Sequence, residues 1–370
     1  MKQYNVAAYI WPAFTGDEPR TRIFWPEGMG EWQTVKNIQE TMHYKPAGYR
    51  WNRKPLWGYV NEADPYVMEM EIEAAVKHGV NVFIYDWFWY DNRPFLENCL
   101  NDGFLKAKNH DKMKFYLMWA NHDANTVWDR RNSHMPTTIW EGKVTMEQFY
   151  TIGKRWIRQY FKLPCYYRID GKPVVSIYDT ANFINGLGGI DQAKKAMEWL
   201  NEEAIKEGLS GVHIQMVKWG EQRMNLSGVD GSAMVMKQID VLNALPFSSC
   251  THYQYVHFTD INREYSDILP DVKKEWNDTK EKSVVEYFPH VSIGWDNNPR
   301  YFQYREKIMK DNTPEVFEEA LTAAKAFCDA NNQTPLITIN SWNEWTETSY
   351  LEPDTLYGYG YLNAVKKVFQ

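Results

Sequence analysis

The stretch LITINSWNEWTETSYLEPD, Leu336–Asp354, decides how the rest of the chain is read. Its first four residues, Leu336-Ile337-Thr338-Ile339, have the apolar, β-branched character of a buried strand. The chain then turns polar and aromatic within a few residues. Asn343, Glu344 and Glu347 follow the strand directly, interleaved with Trp342 and Trp345. Two carboxylates three residues apart point to opposite faces of an extended backbone. On a helical turn they share one face, with Cβ atoms roughly 5–6 Å apart. That spacing suits the pair of a retaining glycosidase, about 5–5.5 Å, better than the wider separation of inverting enzymes. An arbitrary E-x-x-E is a solvated surface turn. The flanking tryptophans and the place at a strand's C-terminal end argue for a site.

Working back from this stretch, apolar strand patterns recur along the chain. They are expected at Asn5–Ile10, Val80–Tyr85, Lys114–Trp119, Lys172–Tyr178, Gly211–Gln215, Val241–Phe247, His290–Trp295 and Leu336–Trp342. Helical patterns fall between them, at 65–77, 94–108, 146–161, 191–207, 271–287 and 314–331, with a last one at 360–369. Asp64-Pro65 and Thr313-Pro314 read as N-cap followed by Pro at the first helical position. Strands alternating with helices imply a parallel sheet. Eight of them predict a single-domain (β/α)8 barrel of TIM type over 1–370. A long loop rich in Trp, Pro and Gly follows the first strand, to about Asn61. Its Trp25, Trp32, His43, Tyr49, Trp51 and Trp57 are expected to form a substrate wall.

Polar and aromatic residues cluster just after the strands, where barrel enzymes carry their sites. Candidate sugar contacts are Trp11, Asp86, Trp87, Asn121, His122, Trp295, Asp296 and Asn343. Several of these also suit a purely local role, capping the helix that follows. Aromatic residues make up 16% of the chain, with 17 Trp and 24 Tyr. Many stand in polar company, as in Tyr85-Asp86-Trp87-Phe88-Trp89-Tyr90. Flat apolar rings beside hydrogen-bonding groups match a pyranose, and they also suit a protein interface.

These pieces resemble the glycoside hydrolase family 99-like proteins, which include endo-α-mannosidases and the WbsX-like proteins of bacterial polysaccharide gene clusters. The resemblance rests on Asn343–Glu347 and Tyr350–Asp354. It extends to Glu31-Trp32-Gln33-Thr34-Val35, Trp119-Ala120-Asn121 and Gly294-Trp295-Asp296-Asn297-Asn298-Pro299-Arg300, and runs from about Tyr9 to Phe369. It implies a barrel with a cleft at the strands' C-terminal face and retaining cleavage of an α-linked, mannose-like glycan. Glu347 would be the acid/base. Glu344 would act as base on the substrate's own 2-hydroxyl, through a 1,2-anhydro intermediate. Members of the family usually carry Gly where this chain has Thr348, and the added side chain is expected to narrow the pocket.

Composition removes other classes. A net charge of -7 argues against a nucleic-acid partner. No apolar run is long enough to span a membrane. The N-terminus, MKQYNVAAYI, has no apolar h-region, so no signal peptide is expected and no compartment is assigned. Cys99, Cys165, Cys250 and Cys328 are scattered singly and read as buried thiols. His122-Asp123 lacks a paired-His motif, so neither metal nor cofactor is expected. The expected partner is an oligo- or polysaccharide, and nothing in the chain sets an oligomeric state. Two other functions stay open. A glycosyltransferase would need a diphosphate grip, but D-x-D, G-x-G-x-x-G and P-loop patterns are absent. A non-catalytic carbohydrate-binding protein would keep the aromatic cleft without turnover.

Overall fold

In the computed structural model, which describes residues 3–227 and 232–370, Leu336–Asn340 is a strand buried at every position. It lies parallel between Asn5–Ile10, with Asn5 opposite Leu336, and His290–Ser292, with His290 opposite Thr338. The sheet continues outward from Asn5–Ile10 through Val82–Tyr90, Lys114–Trp119, Lys172–Ile177, His213–Lys218 and Ser249–His252 to Glu286–Tyr287. The two ends of this path, Glu286–Tyr287 and His290–Ser292, are consecutive pieces of one segment. That segment is the seventh strand, and it closes the sheet into an eight-stranded parallel barrel.

Helices pack around the barrel. Met146–Trp156 buries Phe149, Ile152, Gly153 and Trp156, a single helical stripe. Its start is fixed by a capping box between Thr145 and Gln148. Pro65–Lys77 starts where Asp64 accepts from the Tyr66 amide. Its buried face is Met68, Glu71, Ile72 and Ala75. No helix among the described residues is long and apolar enough to cross a membrane. All four cysteines are buried, as expected.

Several elements differ from their sequence patterns. Residues 241–247 were expected to be the sixth strand, but Gln238–Ala244 is a helix. Its buried Ile239, Val241 and Leu242 fit one helical face, and a short apolar run reads equally well as either element. The sixth strand is Ser249–His252, whose polar letters hide it. They are polar because the barrel interior is hydrogen-bonded here. Thr251 Oγ1 lies 2.8 Å from Thr338 Oγ1, and His290 Nδ1 lies 2.9 Å from the same hydroxyl. The second strand runs on through the aromatic stretch to Tyr90 and folds back on Arg93–Phe95. After it, the expected helix at 94–108 is a π-helical turn, Cys99–Gly103, and a 3-10 turn, Phe104–Lys106. The helix Tyr265–Lys282 begins before Pro270 rather than after it.

Candidate active site

The C-terminal end of every barrel strand contributes to one cavity of about 200 Å³. In strand order the contributors are Trp11, Asp86, His122, Tyr178, Trp219, Tyr253, Arg300, and the pair Glu344 and Glu347. Trp128, on the loop after the third strand, adds a further wall.

The two glutamates are held by a local turn. Asn343–Glu344 pairs antiparallel with Ser349–Tyr350, and Trp345–Glu347 forms a 3-10 turn between them. Of the two backbone possibilities, this is the curled one that brings both carboxylates to one side. The turn closes on Thr348 at φ 60°, a left-handed conformation that costs a β-branched residue about 1–2 kcal/mol. The Thr348 hydroxyl donates to the Asp296 carbonyl at 3.0 Å and accepts from the Trp51 indole at 2.9 Å. The side chain is thus turned away from the cavity, and the expected narrowing does not occur.

Arg300 organises the charge. Its Nη1 donates to Glu347 Oε1 at 2.6 Å, and its Nη2 reaches the two Glu344 oxygens at 3.2 and 3.3 Å. Its Nε donates to Glu31 Oε1 at 2.9 Å. Glu31 also accepts from the Trp11 indole and from the Thr346 hydroxyl. One buried guanidinium therefore faces three buried carboxylates. Burial raises the Glu344 carboxyl well above the ordinary range, with the charge of Glu347 adding to the rise and Arg300 opposing it. Burial raises Glu347 as well, while Arg300 pulls it back. The pair titrates as a unit. Glu347 Oε2 and Asp86 Oδ1 are buried without a hydrogen-bond partner. Both residues line the cavity. The other Asp86 oxygen accepts from Tyr253 at 3.1 Å. Burial raises the Asp86 carboxyl well above the carboxylate range, with the Tyr253 hydrogen bond opposing it and the charge of Glu347 adding to the rise. Burial lowers His122, which enters the site uncharged.

Of the expected contacts, Trp11, Asp86, His122, Glu344 and Glu347 come together. The others do not line the cavity. Trp87 follows Asp86 on a strand that continues, so it faces outward, donating to Glu97 and packing on Trp156. Asn121 bonds the backbone of Asp179 in both directions at 2.7 Å, joining the third and fourth strand ends. Asn343 does the same to Trp11, at 2.8 and 2.9 Å, joining the eighth strand to the first. Asp296 accepts from Tyr49 and from the amide and side chain of Asn298, shaping the loop that presents Arg300. Trp295 is half-buried beside that loop. None of the six loop residues expected as a substrate wall lines the cavity. Trp32 instead packs against Trp345, behind the turn. Sequence reasoning gave no role to Arg300, Glu31, Tyr178, Trp219, Tyr253 or Trp128. Arg300 and Glu31 stand inside motifs already noted, and a lone Arg or Glu within an aromatic run was the available signal.

A second acid cluster lies behind the turn. Glu62, Glu71 and Glu352 are fully buried, with ligating atoms within 4.8 Å of one another. Asn343, Trp342 and Trp345 each donate to one of them. Burial holds Glu62 and Glu71 well above the carboxylate range and pushes Glu352 up to about 8. A carboxyl raised in the folded state keeps a proton that the unfolded chain releases. From the unfolded value of about 4.5 to the folded value of about 8, rising pH therefore erodes stability. Glu352→Gln, which is permanently uncharged, is expected to unfold at a higher temperature than wild type at pH 8 and to flatten the fall in Tm between pH 5 and 8. Parallel Tm-against-pH curves for the two proteins would contradict this.

Comparison with known proteins follows the fold. A structure described as "Glycoside hydrolase-like protein" superposes with a TM-score of 0.63 at 14% identity, covering 100% of this chain and 95% of its own. The family 99 endo-alpha-mannosidase from Bacteroides thetaiotaomicron superposes with a TM-score of 0.58 at 14% identity, covering 98% and 96%. At such identity the likeness is one of fold, that of TIM-barrel glycoside hydrolases. A protein of Xanthomonas campestris pv. campestris described as "Uncharacterized protein WxcX" is 24% identical over 98% of this chain and 49% of its own length. The chain thus spans about half the length of the curated relatives it matches. The profile of the family described as "Glycosyltransferase WbsX" matches residues 6–365. That match covers nearly the whole barrel, including the turn with Glu344 and Glu347, and the chain belongs to the WbsX family.

Proposed function

We propose that the chain is a retaining glycoside hydrolase, acting as a single domain on an α-linked, mannose-like glycan. The observation that carries this reading is the turn Trp345–Glu347. It sets two carboxylates on one side of the cavity, both bound to Arg300, with one Glu347 oxygen left unpartnered.

Two groups from one short turn approach a sugar from the same side. They suit the 2-hydroxyl and the leaving oxygen better than opposite faces of the anomeric carbon. In the resting site Arg300 makes its shorter contact with Glu347, which favours the ionised form there. A substrate 2-hydroxyl donating to Glu344 would stabilise that carboxylate's charge, and the proton shared by the pair would then reside on Glu347. Glu344 takes the 2-hydroxyl proton as O2 attacks the anomeric carbon. Glu347 gives its proton to the departing oxygen, closing a 1,2-anhydro sugar. Glu347, now ionised, then takes a proton from the water that attacks the anomeric carbon, while Glu344 returns its proton to O2 as the C1–O2 bond breaks, restoring both groups. Two inversions give net retention. Asp86 and His122, with the rings of Trp11, Trp128 and Trp219, supply hydrogen bonds and flat faces to the ring.

The family's description names transferase activity, which would need a grip on a diphosphate. Arg300 is the one arginine or lysine among the described residues of the cavity wall. It is already committed to three carboxylates, which favours hydrolysis. The test follows cleavage of α-mannosides by NMR, beside analogues lacking the 2-hydroxyl. The first-formed product is expected to keep the substrate's anomeric configuration, and the 2-deoxy substrate is expected to stay intact. Inverted product, or efficient turnover of the 2-deoxy substrate, would overturn this mechanism.

A further inference from the structure

Two loops that serve the catalytic cavity also build a second one. Trp128 and Arg300 line the first cavity. Their chain neighbours Val127 and Tyr301 line another, of about 530 Å³. The two cavities are therefore neighbours, built on the same two loops.

The walls of this second cavity combine aromatic rings with cations. Tyr44, Tyr301 and Phe302 supply rings, and Arg131 and Arg305 supply charge. The Arg305 guanidinium lies over the Tyr301 ring at 4.5 Å and is exposed. Among the described residues no carboxylate forms an ion pair with it, whereas Arg131 is oriented by Asp129 at 2.8 Å. Arg130 stands behind Phe302, 5.7 Å from its ring, and pairs with Glu40. Lys45 ties down the loop carrying Tyr301 and Arg305, donating to the carbonyls of Asn298, Tyr301 and Gln303. Burial lowers Lys45 to about 8, Asp296 opposes that, and the nearby charges of Arg130 and Arg305 add to it. Positive charge is thus concentrated on one patch of a chain whose net charge is -7. A neutral sugar needs rings and hydrogen-bonding groups but not an uncompensated arginine. An arginine held flat on an aromatic ring, with its edge open, suits a carboxylate, phosphate or sulfate.

We propose that the second cavity is a subsite for an anionic sugar residue, a uronate or a phosphorylated or sulfated sugar, on the same glycan that is cut at Glu347. This rests on the glycosidase reading. A sugar nucleotide is the less fitting source of the charge. Its diphosphate would have to sit at the anomeric carbon, among Glu344, Glu347 and Asp86, whereas Arg305 lines the second cavity.

The test measures binding of the full chain to oligogalacturonates, oligomannuronates and phosphorylated mannooligosaccharides. Each is set beside its neutral counterpart of equal length, with GDP-mannose as a separate probe. At least one acidic member is expected to bind more tightly than its counterpart, with a preference that weakens as salt rises. Arg305→Ala, at an exposed position, is expected to cut that preference roughly tenfold, the value of one charge-assisted hydrogen bond. Equal binding of acidic and neutral members would overturn the proposal, as would a preference that Arg305→Ala leaves intact. Tighter binding of GDP-mannose than of any acidic glycan would overturn it in favour of a nucleotide. Cleavage of neutral glycans without acidic preference sinks the subsite and leaves the glycosidase reading standing. Acidic preference without cleavage of any member keeps the subsite and sinks the glycosidase reading.

Discussion

Glu347→Gln is expected to lower turnover of a glycan with an ordinary sugar leaving group by about 10²–10⁴-fold, the usual worth of a general acid. The same variant should cleave a dinitrophenyl glycoside in its first step at close to the wild-type rate, because that leaving group departs without a proton. Gln keeps the length of Glu and can still accept from Arg300 Nη1, which wild-type Glu347 does at 2.6 Å. The loss therefore reports the missing proton rather than a displaced side chain. Glu344→Gln should be damaging with either leaving group, since the base acts on the 2-hydroxyl whatever departs. Equal losses on both substrates for Glu347→Gln would remove its assignment as acid. Near-wild-type turnover of a natural glycan by either variant would remove the pair.

Arg300→Met is the second large effect. The variant keeps the aliphatic stem and deletes the one cation facing Glu31, Glu344 and Glu347. Breaking a buried ion pair from one side typically costs about 3–5 kcal/mol. Because Arg300 lowers both Glu344 and Glu347, its removal lets both rise further. Glu344 is then expected to hold its proton to higher pH and to serve less well as base. The acid limb of the kcat/KM profile should move to higher pH, with turnover at pH 7 reduced by roughly 10²-fold or more. Arg300→Lys should recover charge but little activity, since a single ammonium does not span three carboxylates. A folded Arg300→Met enzyme with an unmoved pH profile would show that the guanidinium does not set the charge of the pair.

The fold was legible where burial on both faces writes an unbroken apolar run, as at Asn5–Ile10 and Lys114–Trp119, whose bounds agree with the structure. It was illegible where the barrel interior is polar, as at Ser249–His252, because hydrogen-bonded serine, threonine and histidine read like a loop. That one displacement also hid Tyr253, which stands next in the chain. Ending the second strand at Tyr85 had a similar cost. It put Asp86 and Trp87 together in a loop, when a continuing strand sends them to opposite faces. Asn121 and Asn343 looked like sugar contacts because amides serve that role, but each closes on a neighbouring strand's backbone. For Asn343 that partner is 332 residues away, which no local pattern reveals. Arg300 and Glu31 meet across 269 residues for the same reason.

The closure of the barrel has a kinetic meaning. Its first and last strands pair directly, with Asn5 opposite Leu336, and the turn bearing Glu344 and Glu347 is pinned to that seam through Asn343 and Trp11. Contacts of such sequence separation carry a large loop-closure entropy and form late unless earlier structure brings the ends together. Glu344 and Glu347 therefore take their places beside Trp11 and Glu31 only when the first and last strands of the barrel have found each other. During refolding, recovery of activity should trail the return of helical signal, and an intermediate with most of its helices in place should still be inert.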